Sequence, residues 1–100
     1  MMERLSFEKG RVVRSLQGRD EGRYFIVLAC EDEQYVRIAD GETHKLENPK
    51  KKKIKHLHAK PVLIDLDAVR PEGGPLQNSD LRRALKENGF APERSLCEEG

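Results

Sequence analysis

Between residues 10 and 67, apolar positions come in short runs separated by turn-forming residues, the pattern of strands rather than helices. "GRVVRSL" (Gly10–Leu16) is β-rich and ends before "QGRDEG", where two glycines and an aspartate mark a turn. "RYFIVLAC" (Arg23–Cys30) is apolar on both faces, which predicts a central strand, and "EDE" (Glu31–Glu33) ends it. "QYVRIAD" (Gln34–Asp40) alternates, with Val36 and Ile38 on one side and Tyr35 and Arg37 on the other. Asp40-Gly41 is a hairpin signal, because both residue types tolerate positive φ. "THKLENP" (Thr43–Pro49) predicts a short strand closed by Asn-Pro, and the lysine run after it reads as a turn feeding the next strand. "KIKHLHA" (Lys53–Ala59) alternates imperfectly, which predicts a twist or bulge near His56, and "PVLIDLD" (Pro61–Asp67) is the last strand.

The periodicity changes beyond residue 67. "AVRPEGGPLQ" (Ala68–Gln77), with two prolines and a Gly-Gly, reads as a linker. "NSDLRRALKENGF" (Asn78–Phe90) is helical: Asn78 or Ser79 caps it, and Asp80 suits its positive end. Leu81, Ala84 and Leu85 share a face, and Gly89 supplies a left-handed stop. About ten residues are too few for a helix to persist alone in water, so this one must dock through Leu81, Leu85 and Phe90. Residues 91–100 are expected to be a flexible tail. The whole reads as a mainly β fold, a small closed or nearly closed barrel over residues 8–67 with a short C-terminal helix. Closure would remove the exposed edges that a domain of this size tolerates badly.

Composition narrows the function classes. One hundred residues make one domain, and 37% of them are charged. No apolar run approaches the roughly 18–20 residues that span a bilayer, and "MMERLSFEKG" has no apolar core of a signal peptide. A cytoplasmic protein without a membrane partner, monomeric in isolation, is the expectation. The two cysteines, Cys30 and Cys97, form no framework; Cys30 reads as a small buried hydrophobe and Cys97 as a free thiol in the tail. The net charge of +1 conceals a strong asymmetry: Lys50 to Lys60 holds six lysines and no acid, whereas acids outnumber bases from Glu31 to Glu47. There is no phosphate-binding glycine loop, no nucleophile with a supporting base, and no carboxylate pair beyond Asp65 and Asp67, which a solvated edge explains. No enzyme activity and no cofactor are expected. His56 and His58, two apart on a predicted strand, would share a face, but no third ligand at metal spacing accompanies them.

Gly10, Val12, Val13, Ser15, Gly18, Arg19, Asp20 and Gly22, followed by "YFIVLA", resemble a KOW motif. The likeness extends through Asp40-Gly41 to "KLENPKKKKIKHL" (Lys45–Leu57), and covers about residues 8–60. In that span the chain is similar to small bacterial KOW-domain RNA-binding proteins related to an archaeal and eukaryotic branch of large-subunit ribosomal proteins. The resemblance implies an SH3-like barrel that binds RNA, ribosomal RNA above all, without catalysis. From the residues themselves, Gly18 and Gly22 give a tight turn around Asp20, whose carboxylate suits backbone N–H groups.

The candidate RNA-binding residues are Arg11, Arg14, Arg19, Arg23, Lys50, Lys51, Lys52, Lys53, Lys55 and His56. Lysines and arginines neutralise phosphates and release counterions, which gives affinity with little base selectivity. On the residues alone, the lysine run reads equally as a solvated loop; the arginines and the resemblance favour phosphate contact. The aromatic residues are few, which favours recognition of folded RNA over generic single-strand binding. The alternative is an SH3-like protein-docking module of transcription or translation, with Glu31–Glu33 and the helix Ser79–Asn88 as its surface.

Overall fold

The computed structural model describes residues 7–69 and 74–90. The run "YFIVLAC" forms the central strand expected of it. Five antiparallel strands, β1 (Arg11–Ser15), β2 (Tyr24–Cys30), β3 (Tyr35–Ala39), β4 (Lys50–Lys53) and β5 (Leu57–Leu63), lie in the order β4-β3-β2-β1-β5. A single helical turn, α1 (Leu66–Val69), and the helix α2 (Asn78–Glu87) follow. The register slips once between β1 and β5, at Arg11/Val13, and once between β2 and β3, at Val27/Ala29. Each irregularity bends its strand and adds twist. β4 and β5 are the two edges of the sheet, and no ladder between them closes it.

Both faces of the sheet are covered. Val13, Phe25, Val27, Val36, Ile38 and Leu57 form the inner core, with Phe7 and Ile54 packed against it. On the other face, Val12, Ile26 and Ala39 meet Leu81, Ala84 and Leu85 of α2, with Ile64 and Leu66 completing the cluster. The helix therefore docks through the face its periodicity marks. Phe90 joins this cluster and lies 4.8 Å from the Tyr24 ring, and Gly89 adopts the left-handed stop with φ +86.

Several sequence expectations are corrected. Thr43–Pro49 is not a strand; it belongs to a long connection between β3 and β4. The lysines are not a turn but β4 itself, and the turn is a short 3-10 segment at Ile54–His56, where a bulge was expected. Lys53–Ala59 and Pro61–Asp67 are not two strands, since β5 runs unbroken from Leu57 to Leu63. Asp65 then starts α1 by accepting the N–H groups of Asp67 and Ala68. The helix is capped at Gln77, one residue earlier than expected, where the Asp80 carboxylate accepts the Gln77 N–H at 2.9 Å, and it ends at Glu87. Cys30 is exposed rather than buried, with its thiol 3.2 Å from the Phe7 carbonyl. The expected tail, Cys97 and residues 70–73 of the linker lie outside the described residues.

Polar pins fasten α2 to the long connection. Leu46 N–H donates to Asn78 Oδ1, and Asn78 Nδ2 donates to Glu47, which holds the Glu47 carboxyl below its ordinary value. Arg82 donates to the Gly41 carbonyl at 2.7 Å. Gly41 has φ +79, and a Cβ there would stand 2.2 Å from the Asn78 carbonyl oxygen. Gly22 has a similar φ of +90 with nothing near it. Gly41→Ala is therefore expected to lower stability by at least about 2 kcal/mol, and Gly22→Ala by about 1. Denaturant unfolding of the two variants compares them, and equal losses would mean that α2 does not sit this close to the turn.

Candidate nucleic-acid interface

β4 consists of four lysines and, among the described residues, pairs on one side only, with β3. Strand alternation splits its charges between two faces. Lys51 stands opposite Arg37 and Lys53 opposite Tyr35, on the outer face. Lys50 and Lys52 stand opposite Ile38 and Val36, whose side chains enter the inner core, so these two lysines emerge at its rim. The ammonium groups of Lys51 and Lys53 lie 4.9 and 5.7 Å from the Tyr35 ring centroid. The neighbouring Arg37 is bound to Glu31.

Lys52 links this strand to the β1–β2 loop, donating to the Gln17 carbonyl at 3.2 Å. The 3-10 turn approaches the same segment, where Leu16 N–H donates to the His56 carbonyl. The loop is tightly closed. Ser15 N–H donates to Arg23 O, Gly22 N–H to Ser15 O, and Arg23 N–H to Asp20 O. Gly18 and Gly22 both take positive φ in it, and Arg19 is exposed beside Gly18. The fold thus brings the lysine strand, the 3-10 turn and the glycine-bracketed loop together.

Beneath the loop lies a polar network that sequence reasoning missed. Asp40 is buried, and its Oδ1 accepts three backbone N–H groups, those of Glu42, Thr43 and His44. Its Oδ2 lies 3.5 Å from Arg23, which also approaches Glu42. His44 Nε2 lies 2.9 Å from Asp20, and its ring packs on Phe25. Asp40 thus closes its own turn in the way expected of Asp20 in the β1–β2 loop, whereas the Asp20 carboxylate ties that loop to His44. The one available signal was an aspartate before glycine at a strand end, the composition of a side-chain-closed turn.

The ten candidate residues therefore divide. Arg11 is buried, donates to the Lys60 carbonyl and pairs with Glu8. Arg23 is turned toward Asp40, and its Nε is buried without a hydrogen-bond partner among the described residues. Arg11 is thus an internal part, and the half-buried Arg23 is committed to Asp40 and Glu42, because a motif read in one dimension does not say which arginines meet carboxylates. Arg14 is exposed on β1, directly opposite His58 and Tyr24. Arg14, Arg19, Lys50, Lys51, Lys53 and Lys55 make no ion pair among the described residues. Lys52 is spent on Gln17, and the half-buried His56 sits in the 3-10 turn. That turn also removes the shared-face argument for a metal at His56 and His58, and among the described residues no group of three His, Cys, Asp or Glu side chains could hold a metal. No helix among the described residues is long and apolar enough to cross a membrane.

Comparison with known proteins adds no relative: no family model matches the chain, and no curated protein matches it significantly.

The network's energetics are testable at Asp40. Asp40→Ala leaves three N–H groups and one guanidinium without their acceptor and is expected to cost about 3 kcal/mol. Asp40→Asn keeps an oxygen for the N–H groups and loses only the charge, so about 1–2 kcal/mol is expected. Unfolding midpoints of the two variants separate the contributions; equal costs would make the Arg23 pair, not the turn, the dominant one.

Proposed function

We propose that this protein binds structured RNA through phosphate contacts, as an SH3-like KOW barrel acting on the ribosome, with large-subunit ribosomal RNA as the partner. The observation that carries the reading is β4, an edge strand made entirely of lysine in a chain of net charge +1. The molecule supplies internal partners for Arg11, Arg23 and Arg37 but leaves Lys50, Lys51 and Lys53 without any acid among the described residues. Concentrated, unpaired positive charge on a rigid strand is what a phosphate backbone requires. Arg19 on the adjoining loop and Lys55 in the adjoining turn extend the same surface. A meander that bends at two register shifts, with its last strand returning to the first, supports the barrel reading. Lys52, reaching from β4 to the β1–β2 loop, supports it further.

Lysine on an edge strand has a second explanation, since like charges keep edges of separate copies from pairing. The protein-docking alternative finds less support. Glu31 is engaged by Arg37, Asp32 accepts the N–H groups of Gln34 and Tyr35, and Arg82 is bound to Gly41.

Two measurements separate these readings. With about five phosphates contacted, log K against log salt is expected to slope by roughly −3.5 to −4.5, and a flat slope with ribosomal RNA would sink the proposal. Replacing Lys50, Lys51 and Lys53 by Thr, which suits a strand better than Ser, is expected to weaken binding across RNA sequences and leave the melting temperature nearly unchanged. Edge protection alone predicts unchanged RNA binding and new self-association. Protein docking predicts survival of the lysine changes and failure on Leu81 or Arg82 substitution.

A further inference from the structure

Tyr35 is the aromatic side chain that neither core uses. The chain has three phenylalanines and two tyrosines. Phe25 is in the inner core with Phe7 against it, while Tyr24 and Phe90 pack against each other, rings tilted, at the outer one. Tyr35 stands apart from both clusters, half-buried on the outer face of β3, and the groups over its ring are two ammonium ions, Lys51 at 4.9 Å and Lys53 at 5.7 Å. Neither lysine has a carboxylate partner among the described residues, and Glu31, in the connection between β2 and β3, is taken by Arg37, the residue opposite Lys51.

An aromatic face with two unpaired cations beside it matches the parts of one nucleotide. A base has a π face that stacks on tyrosine whatever its sequence, and the phosphates on either side of it need positive charge within a nucleotide's length. The lysines sit on long, flexible stems, and their attraction to a ring that is still reached by solvent is weak. A phosphate draws the ammonium off the ring, and the ring face so uncovered receives the base.

We propose that Tyr35 is the stacking platform for one unpaired base of the bound RNA, with the phosphates flanking that nucleotide held by Lys51 and Lys53. This rests on the RNA-binding reading above and specifies its substrate: a folded RNA carrying a bulged or looped-out nucleotide, preferred over a fully paired stem. It also reconciles the scarcity of aromatic residues with base contact, because a single platform suffices for a single extruded base.

Tyrosine fluorescence tests it directly, since the chain has no tryptophan. Tyr24→Phe keeps the ring against Phe90 and leaves Tyr35 as the sole emitter. The probes are an RNA stem with one bulged adenosine, the same stem fully paired, and heparin as a polyanion without bases. The bulged stem is expected to quench Tyr35, and heparin to bind at low salt without quenching. Tyr35→Leu is expected to weaken the bulged stem by about tenfold or more while leaving the paired stem and heparin within about twofold, and Tyr35→Phe to retain most of the affinity. If the bulged stem binds with no quenching and no preference over the paired stem, the platform is overturned and the RNA reading stands. If neither stem binds at low salt, the RNA reading falls and the platform with it.

Discussion

Strand β2 has no solvent face along its middle: Phe25 and Val27 enter one core and Ile26 the other. The rest of the molecule answers that constraint. A sheet of five short strands can bend over one side of β2 and enclose the inner core, but the opposite side then presents Val12, Ile26 and Ala39 to water. The helix covers them with Leu81, Ala84 and Leu85. In a chain of this length, each of these buried side chains is a large share of the total hydrophobic stabilisation, so the helix is structural and not an appendage to a sheet already complete.

Charge is arranged on the same principle of committed and uncommitted groups. Arg23 and Asp40 sit at the base of the β1–β2 loop and the β3–β4 connection, where a buried carboxylate satisfies three backbone donors while facing a guanidinium. Those charges shape backbone. The lysines of β4 shape nothing beyond their strand and the Gln17 bond. Many of the described acids, by contrast, sit in turns and caps, where backbone N–H groups or arginines hold them.

Element type was legible in the sequence wherever burial dictates it. β1, β2, β3 and the face of α2 follow the apolar periodicity closely, because a misplaced residue there would leave a hole or an exposed patch. The lysine strand was not legible: no apolar residue marks it, and its pairing is set by β3 across the ladder, a non-local cause. The segment Thr43–Pro49 misled for the opposite reason, since its strand-like composition is overruled by Asp40 closing the turn and by Asn78 seizing Leu46 and Glu47. Of the candidate surface, the lysines were readable as charge. Which arginines face inward depends on Glu8, Asp40 and Glu42, and no local window contains Arg23 together with its carboxylates.

The pins between α2 and the β3–β4 connection join residues far apart in the chain: Asn78 to Leu46, and Arg82 to Gly41 across 41 positions. A helix this short has no lasting existence until it is seated, and its seat includes a turn that must already be closed. The helix and its seat are therefore stable only together, and loosening either one uncovers the outer face of the sheet. During synthesis from the N-terminus, the outer face of the sheet waits uncovered until Phe90 has been added. In that interval the nascent chain carries an apolar surface whose eventual cover has not yet been made.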